Sequence, residues 1–142
     1  MNVFTVDILT PNKVVVKDLP AESVLVPTTS GLTNILKDHT HLISKLCVGE
    51  VSIFGGADDP DRHFSVNKGI FKVLGNKITI LSEVSEEAFE IDTNRAQLSL
   101  ENAQSALSNE ETYDEEVFEK YLEKIELSKL RIQLSKYEND NK

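Results

Sequence analysis

Cysteine is almost absent: Cys47 stands alone in 142 residues. One thiol closes no intramolecular disulfide and builds no zinc site, so a reducing compartment and a buried, inert thiol are expected. The apolar runs are only a few residues long, far short of the roughly 20 that a membrane-spanning helix needs. The opening stretch MNVFTVDILTPNKV lacks both a basic segment and a long apolar one, so no signal peptide is expected. The chain is therefore expected to be soluble and to reach a membrane only through a partner. Clustered Lys and Arg are missing too, which argues against nucleic acid as a partner. No Gly-x-Ser-x-Gly elbow and no Gly-x-x-x-x-Gly-Lys phosphate loop occur. The carboxylates of 83–126 read as a solvated helix face, without the burial that separates the pKa values of a catalytic pair. No catalytic residue is expected.

What is present divides sharply by charge. Residues 1–82 carry eight acids and eight bases, whereas residues 83–142 carry 16 acids against seven bases, the whole of the net −9. Such asymmetry points to two units with different surroundings. Apolar residues make up 39%, enough for one modest core.

The first part reads as β throughout. An extended start (Val3, Thr5, Ile8, Leu9) ends at Pro11-Asn12, and Val14-Val15-Val16 follows. Val24-Leu25-Val26 is expected to stop at Pro27. Short runs recur at Leu42-Ile43, Val51-Ser52-Ile53-Phe54 and Phe64-Ser65-Val66, with a loop at 55–61. Ile70-Phe71-Lys72-Val73-Leu74, Gly75-Asn76 and Lys77-Ile78-Thr79-Ile80-Leu81 predict a hairpin with a two-residue turn. Short strands with turn signals every 8–12 residues favour an antiparallel sandwich, and the lack of βαβ alternation excludes a Rossmann-type fold.

The grammar changes at Ser82, beyond which there is neither Pro nor Gly. Ala96, Leu100, Ala103 and Leu107 form a narrow helical stripe, with Asp92 placed as its N-cap. Arg95 is expected to reach back to Asp92 at i, i+3. Residues 110–114 read as a short connection whose Thr112 or Asp114 caps a second helix. On that helix Phe118, Tyr121, Leu122, Ile125 and Ile132 mark one face, and Leu127, Leu130, Leu134 and Tyr137 a neighbouring one. Two helices joined this closely form an antiparallel hairpin with a thin core, marginal alone and movable. The expected fold class is α+β: an antiparallel β-sandwich over residues 1–83, then a two-helix hairpin over 84–142. His39 and His41 share a face at i, i+2, with His63 distant. Without an accompanying carboxylate or cysteine cluster they read as surface residues, and no metal site is expected.

Three segments carry a resemblance. The first runs from Val26-Pro27-Thr28-Thr29-Ser30-Gly31-Leu32 through Ile35-Leu36 and His39 to Leu42-Ile43 and Gly49. The second is Phe64-Ser65-Val66-Asn67-Lys68-Gly69-Ile70-Phe71-Lys72-Val73, and the third is Ile91-Asp92-x-x-Arg95-Ala96 at the head of the helical part. In this order and spacing they resemble the epsilon subunit of F-type ATP synthases. The chain departs from that pattern at Asn34, Lys37-Asp38, His41 and Lys68.

The resemblance implies a non-catalytic rotor subunit of the central stalk. It would couple gamma to the c-ring for proton-driven ATP synthesis, with a hairpin that regulates hydrolysis at the alpha/beta head. It would sit at the cytoplasmic face of a bacterial inner membrane or its organellar equivalent. Leu32, Thr33, Asn34 and His39, on a surface turn at 31–39, match the positions that meet the c-ring and gamma. In the family, basic residues of the second helix meet an acidic segment of the head. Here acids crowd the first half of that helix, so such a contact is expected to be confined to Lys129, Arg131 and Lys136. Ile91, Asp92, Arg95 and Ala96 match residues that hold ATP in some bacterial members. Where those members add arginines this chain has Asn102, Ile125 and Lys129, a poor counterion set for a triphosphate. ATP is then a weak regulatory ligand and no cofactor is required. Two other classes stand beside this reading: a free-standing ATP-sensing module, and a generic adaptor or small β-sandwich enzyme.

Overall fold

The computed structural model describes residues 4–36, 41–55, 61–109 and 114–140. It separates into two compact units, Met1–Glu87 and Ala88–Lys142. The first holds ten strands: β1 Phe4–Leu9, β2 Val14–Ala21, β3 Ser23–Thr28, β4 Gly31–Leu36, β5 Leu42–Leu46, β6 Gly49–Phe54, β7 Arg62–Val66, β8 Gly69–Leu74, β9 Lys77–Ser82 and β10 Ser85–Glu87. They pair in the order β10-β7-β6-β3-β5-β8-β9-β1-β2, with β4 added on β3. Pleat alternation sends Val6, Ile8, Val24, Val26, Ile35, Val51, Ile53, Phe64, Phe71, Ile78 and Ile80 into one core. A fully buried Val, Leu, Ile or Phe contributes about 1.5–3 kcal/mol.

The β8–β9 hairpin forms as its sequence predicts, with Phe71 opposite Ile80 and Val73 opposite Ile78. Gly75 takes φ +60°, which the tight turn demands and a Cβ resists. One ladder departs from the antiparallel rule: β1 runs parallel to β9, aligning Val6 with Ile78 and Ile8 with Ile80. That register places four branched side chains in the core, and no local signal announces a pairing so distant in sequence.

Pro27 does not end β3. It lies within the strand opposite Leu32, and its carbonyl accepts the Cys47 N–H at 3.1 Å. Here β3 passes from β6, which pairs with Ser23, Val24 and Leu25, to β5, which pairs with Thr28. A missing N–H costs little at that switch. Cys47 itself is half-buried rather than buried.

Residues 31–36, expected within a surface turn, are a strand. The turn is Thr29-Ser30, where the Thr28 hydroxyl donates to the Gly31 carbonyl (2.7 Å) and accepts the Ser30 N–H (3.1 Å). Burial of Ile35, 1% exposed, anchors β4 to the core. The expected loop at 55–61 falls mostly outside the described residues, but β6 and β7 flank it as an antiparallel pair.

β10 carries the sandwich past residue 83, to Glu87. Its Ser-Glu-Glu has no apolar alternation and pairs with β7 through polar groups instead. The Arg62 guanidinium donates twice to the Glu87 carboxylate, at 2.8 and 2.6 Å, and Glu86 N–H donates to Ser65 Oγ at 3.0 Å.

The second unit opens with a 3-10 turn, Ala88–Glu90, followed by α1 Thr93–Asn109 and α2 Glu115–Asp140. The Asp92 carboxylate accepts the Arg95 N–H at 3.1 Å, the N-cap expected of it. Asp114 caps α2, its carboxylate accepting the Glu116 N–H at 3.4 Å and its carbonyl the Phe118 N–H at 3.0 Å. The alternative cap, Thr112, lies outside the described residues. On α1, Ala96 and Ala103 are buried while Leu100 and Leu107 are half-buried. On α2, Leu134 is fully buried against Ala88 and Ile91, with Leu130 and Tyr137 alongside. Phe118 and Leu122, expected on a core face, are 37% and 38% exposed.

Candidate partner-binding surfaces and helix groove

The β3–β4 hairpin presents one candidate surface. Leu32 is 66% exposed and Asn34 is exposed on the same face, whereas Thr33 turns toward Thr28, their hydroxyl oxygens 3.5 Å apart. A leucine exposed on a strand held rigid by its own core suits a contact that is desolvated in an assembly. His39 lies outside the described residues, and His41 is exposed.

At the head of the helical unit, Ile91 and Ala96 are buried while Asp92 and Arg95 are exposed. The contact between Asp92 and Arg95 runs through the Arg95 backbone N–H, rather than the guanidinium expected to reach back. The signature thus works locally as a helix start, with two apolar residues holding the turn and an acid capping it.

A groove of about 390 Å³ opens between α1 and α2, lined by Ser99, Asn102, Ala103, Tyr121, Lys124, Leu127, Ser128 and Arg131. Small residues on both helices permit it. Its cations are Lys124, whose ammonium lies 6.0 Å from the Tyr121 ring centre, and Arg131. Neither Arg95 nor Lys129 lines it. The basic trio of α2 is divided as well: Lys129 and Lys136 are exposed at i, i+7, while Arg131 is half-buried in the groove.

Two polar clusters had no sequence signal, because their members lie on different strands. On β6 and β7, Ser52 Oγ donates to Glu50 Oε2 (2.8 Å) and lies 3.0 Å from His63 Nδ1. The hydroxyl has one hydrogen, given to the carboxylate, so Nδ1 is the donor to Ser52. The Glu50 carboxylate also lies 3.6 Å from that same Nδ1, so serine and acid meet one ring nitrogen, and with Ser52 2% exposed this is no Ser-His-acid triad with its imidazole in the middle. On β1, β2 and β9, Lys77 Nζ lies 3.0 Å from Asp7 Oδ2 and 2.9 Å from Asp18 Oδ1, and Asp18 N–H donates to Asp7 at 2.7 Å. Burial pushes the Asp7 carboxyl up. The Asp18 N–H, then the hydrogen bond and charge of Lys77 and the charge of Lys17, outweigh it and hold Asp7 below the usual carboxylate range. Hydrogen bonds to Asp18 and Asp7 raise Lys77 correspondingly. Among the described residues no His, Cys, Asp and Glu group is arranged to hold a metal ion. Nor is any helix among them long and apolar enough to cross a membrane.

Residues 3–88 match the family described as ATP synthase, Delta/Epsilon chain, beta-sandwich domain. The ATP synthase epsilon chain of Koribacter versatilis is 38% identical over 104 residues, 73% of this chain and 71% of that one. The epsilon chain of Clostridium botulinum is 30% identical over 131 residues, 89% and 96% of the two chains. Among solved structures, a chain of the Euglena gracilis mitochondrial ATP synthase superposes with a TM-score of 0.76 at 16% identity, covering 91% of this chain and 79% of that one. Sandwich, hairpin and matched sequence agree, and the chain belongs to the ATP synthase epsilon-chain family.

Proposed function

We propose that this chain is the rotor subunit that joins gamma to the c-ring in the central stalk of an ATP synthase, transmitting torque without taking part in chemistry. The observation that carries this reading is the exposed, uncharged face of β4, Leu32 and Asn34, on a strand anchored to the core through Ile35. Thr33 supports the hairpin from its inner face, its hydroxyl 3.5 Å from that of Thr28. The subunit then works at the membrane face where the catalytic head stands, cytoplasmic in a bacterium, and meets the bilayer only through the complex.

The hairpin is the regulatory part. A contact with an acidic segment of the head falls to Lys129 and Lys136, since Arg131 is engaged in the groove. Glu115, Glu116, Glu119 and Glu123 oppose it over the first half of α2, and salt weakens what remains. ATP acts at most as a weak ligand of the hairpin, because Asp92 and Arg95 lie outside the lining of the groove that holds Lys124 and Arg131. That separation disfavours the reading as a free-standing ATP sensor.

Leu32→Asp tests the coupling role, because a charge in a desolvated joint is costly. Membranes carrying the variant should lose ATP-driven proton pumping while the soluble head still hydrolyses ATP. Unchanged pumping with normal retention of the subunit on the membrane would remove β4 from the joint.

A further inference from the structure

The strands that end the pairing order, and β4 beside it, differ in how they are protected. β2 is interrupted by register shifts after Val6, by Asp18 at φ 52° and by Pro20. β10 is three residues long. β4 offers six residues, without proline or charge, and among the described strands pairs with β3 alone. Sheets guard their edges with bulges, prolines, charges and shortness, because a bare row of N–H and C=O groups recruits another strand. β4 has none of these guards.

Its outward groups can be assigned. The Pro27 carbonyl is turned to Cys47, away from β4, so Pro27 and Leu32 form a non-hydrogen-bonded pair. Leu32 therefore directs its own N–H and C=O to the open edge, and alternation gives the same direction to Asn34 and Leu36. The side chains of these three residues share the exposed face, with Leu36 54% exposed. About Asn34 the strand is nearly the same in both directions: Leu32-Thr33-Asn34-Ile35-Leu36.

We propose that in the free protein β4 pairs antiparallel with β4 of a second copy about a two-fold axis at Asn34. Asn34 then exchanges both backbone hydrogen bonds with the partner's Asn34, and Leu32 does so with the partner's Leu36. The edge brings no like charges together, and leucines lie side by side across the new ladder. An edge pairing this short buries less than the roughly 1,200 Å² of a standard interface, so the dimer is weak and concentration-dependent. It covers Leu32 and Asn34, so self-association and rotor assembly exclude one another. That exclusion rests on the proposed function, but the pairing does not.

Sedimentation velocity of the full chain over a wide concentration range is the test. A reversible monomer–dimer equilibrium is expected, and Asn34→Pro, which deletes the N–H at the axis, should raise its Kd at least ~10-fold. Leu32→Lys with Leu36→Lys, which keeps the backbone donors, should give monomer with an unchanged far-ultraviolet circular dichroism spectrum. A wild-type chain that stays monomeric throughout, or a dimer that survives both variants, overturns the pairing. If pairing fails while Leu32→Asp still lowers pumping, the inference falls and the rotor reading stands.

Discussion

The sandwich and the hairpin are held by different amounts of buried surface. Phe64, Phe71, Val6, Ile8, Ile78 and Ile80 are at most 1% exposed and come from strands spread over the whole first unit. Among the described residues the hairpin buries Leu134 with Ala88 and Ile91, and otherwise alanines and serines: Ala96, Ala103, Ser128 and Ser135. An alanine contributes a fraction of what a buried leucine or phenylalanine does. A stiff joint and a movable arm therefore share one chain. The part proposed to transmit torque has the deep core, and the part proposed to regulate has the shallow one.

The largest effect should come from Gly69→Ala. A Cβ there would lie 1.8 Å from the Leu81 carbonyl oxygen, a backbone atom that cannot move without parting β8 from β9. A loss of about 4 kcal/mol or more is expected, read as a fall in the urea midpoint of the sandwich. Leu134→Ala should be the hairpin's counterpart, costing about 2–4 kcal/mol. Its signature is helical ellipticity that melts early while the β transition keeps its midpoint. One shared, shifted transition would show that the two units unfold together.

Much of this contrast was legible in the sequence, and the misses have physical reasons. Alternation in Phe71, Val73, Ile78 and Ile80 marked β8 and β9 because both strands bury one face. Asp92 three residues before Arg95 marked the start of α1 because an N-cap is a local device. β4 read as a turn, since Thr-Asn-rich segments resemble loops until Ile35 is seen in the core. β10 escaped because an ion pair and serine hydrogen bonds hold it, and such partners leave no periodic trace. Charge alone groups Arg131 with Lys129 and Lys136. Which arc of α2 faces α1 is set by small residues such as Ser128, which hydrophobic periodicity cannot find.

A smaller effect separates the units by pH. The folded Asp7 carboxyl titrates below its unfolded value, so it stabilises the sandwich above the unfolded carboxylate range, and this is lost as pH falls through the folded pKa. Lys77→Ala removes the ammonium, lets the Asp7 pKa rise, and should move the acid-unfolding midpoint of the sandwich to higher pH. The raised Lys77 pKa contributes in the opposite range, its stabilisation present below the unfolded lysine value and lost as pH climbs through the folded one. Acid unfolding of wild type and variant, followed by near- and far-ultraviolet circular dichroism, should show the β signal shifted and the helical signal unmoved. Coincident midpoints for the two proteins would remove the Asp7–Asp18–Lys77 cluster from the account.

Native-state hydrogen exchange of the full chain tests the division between stiff joint and movable arm most directly. Amides of β1, β8 and β9 should exchange only through global opening of the sandwich. Those of α1 and α2 should exchange at least ~100-fold faster relative to their unfolded rates, through local opening of the hairpin. Equal protection in the helices and the central strands would contradict a hairpin that moves on a rigid base.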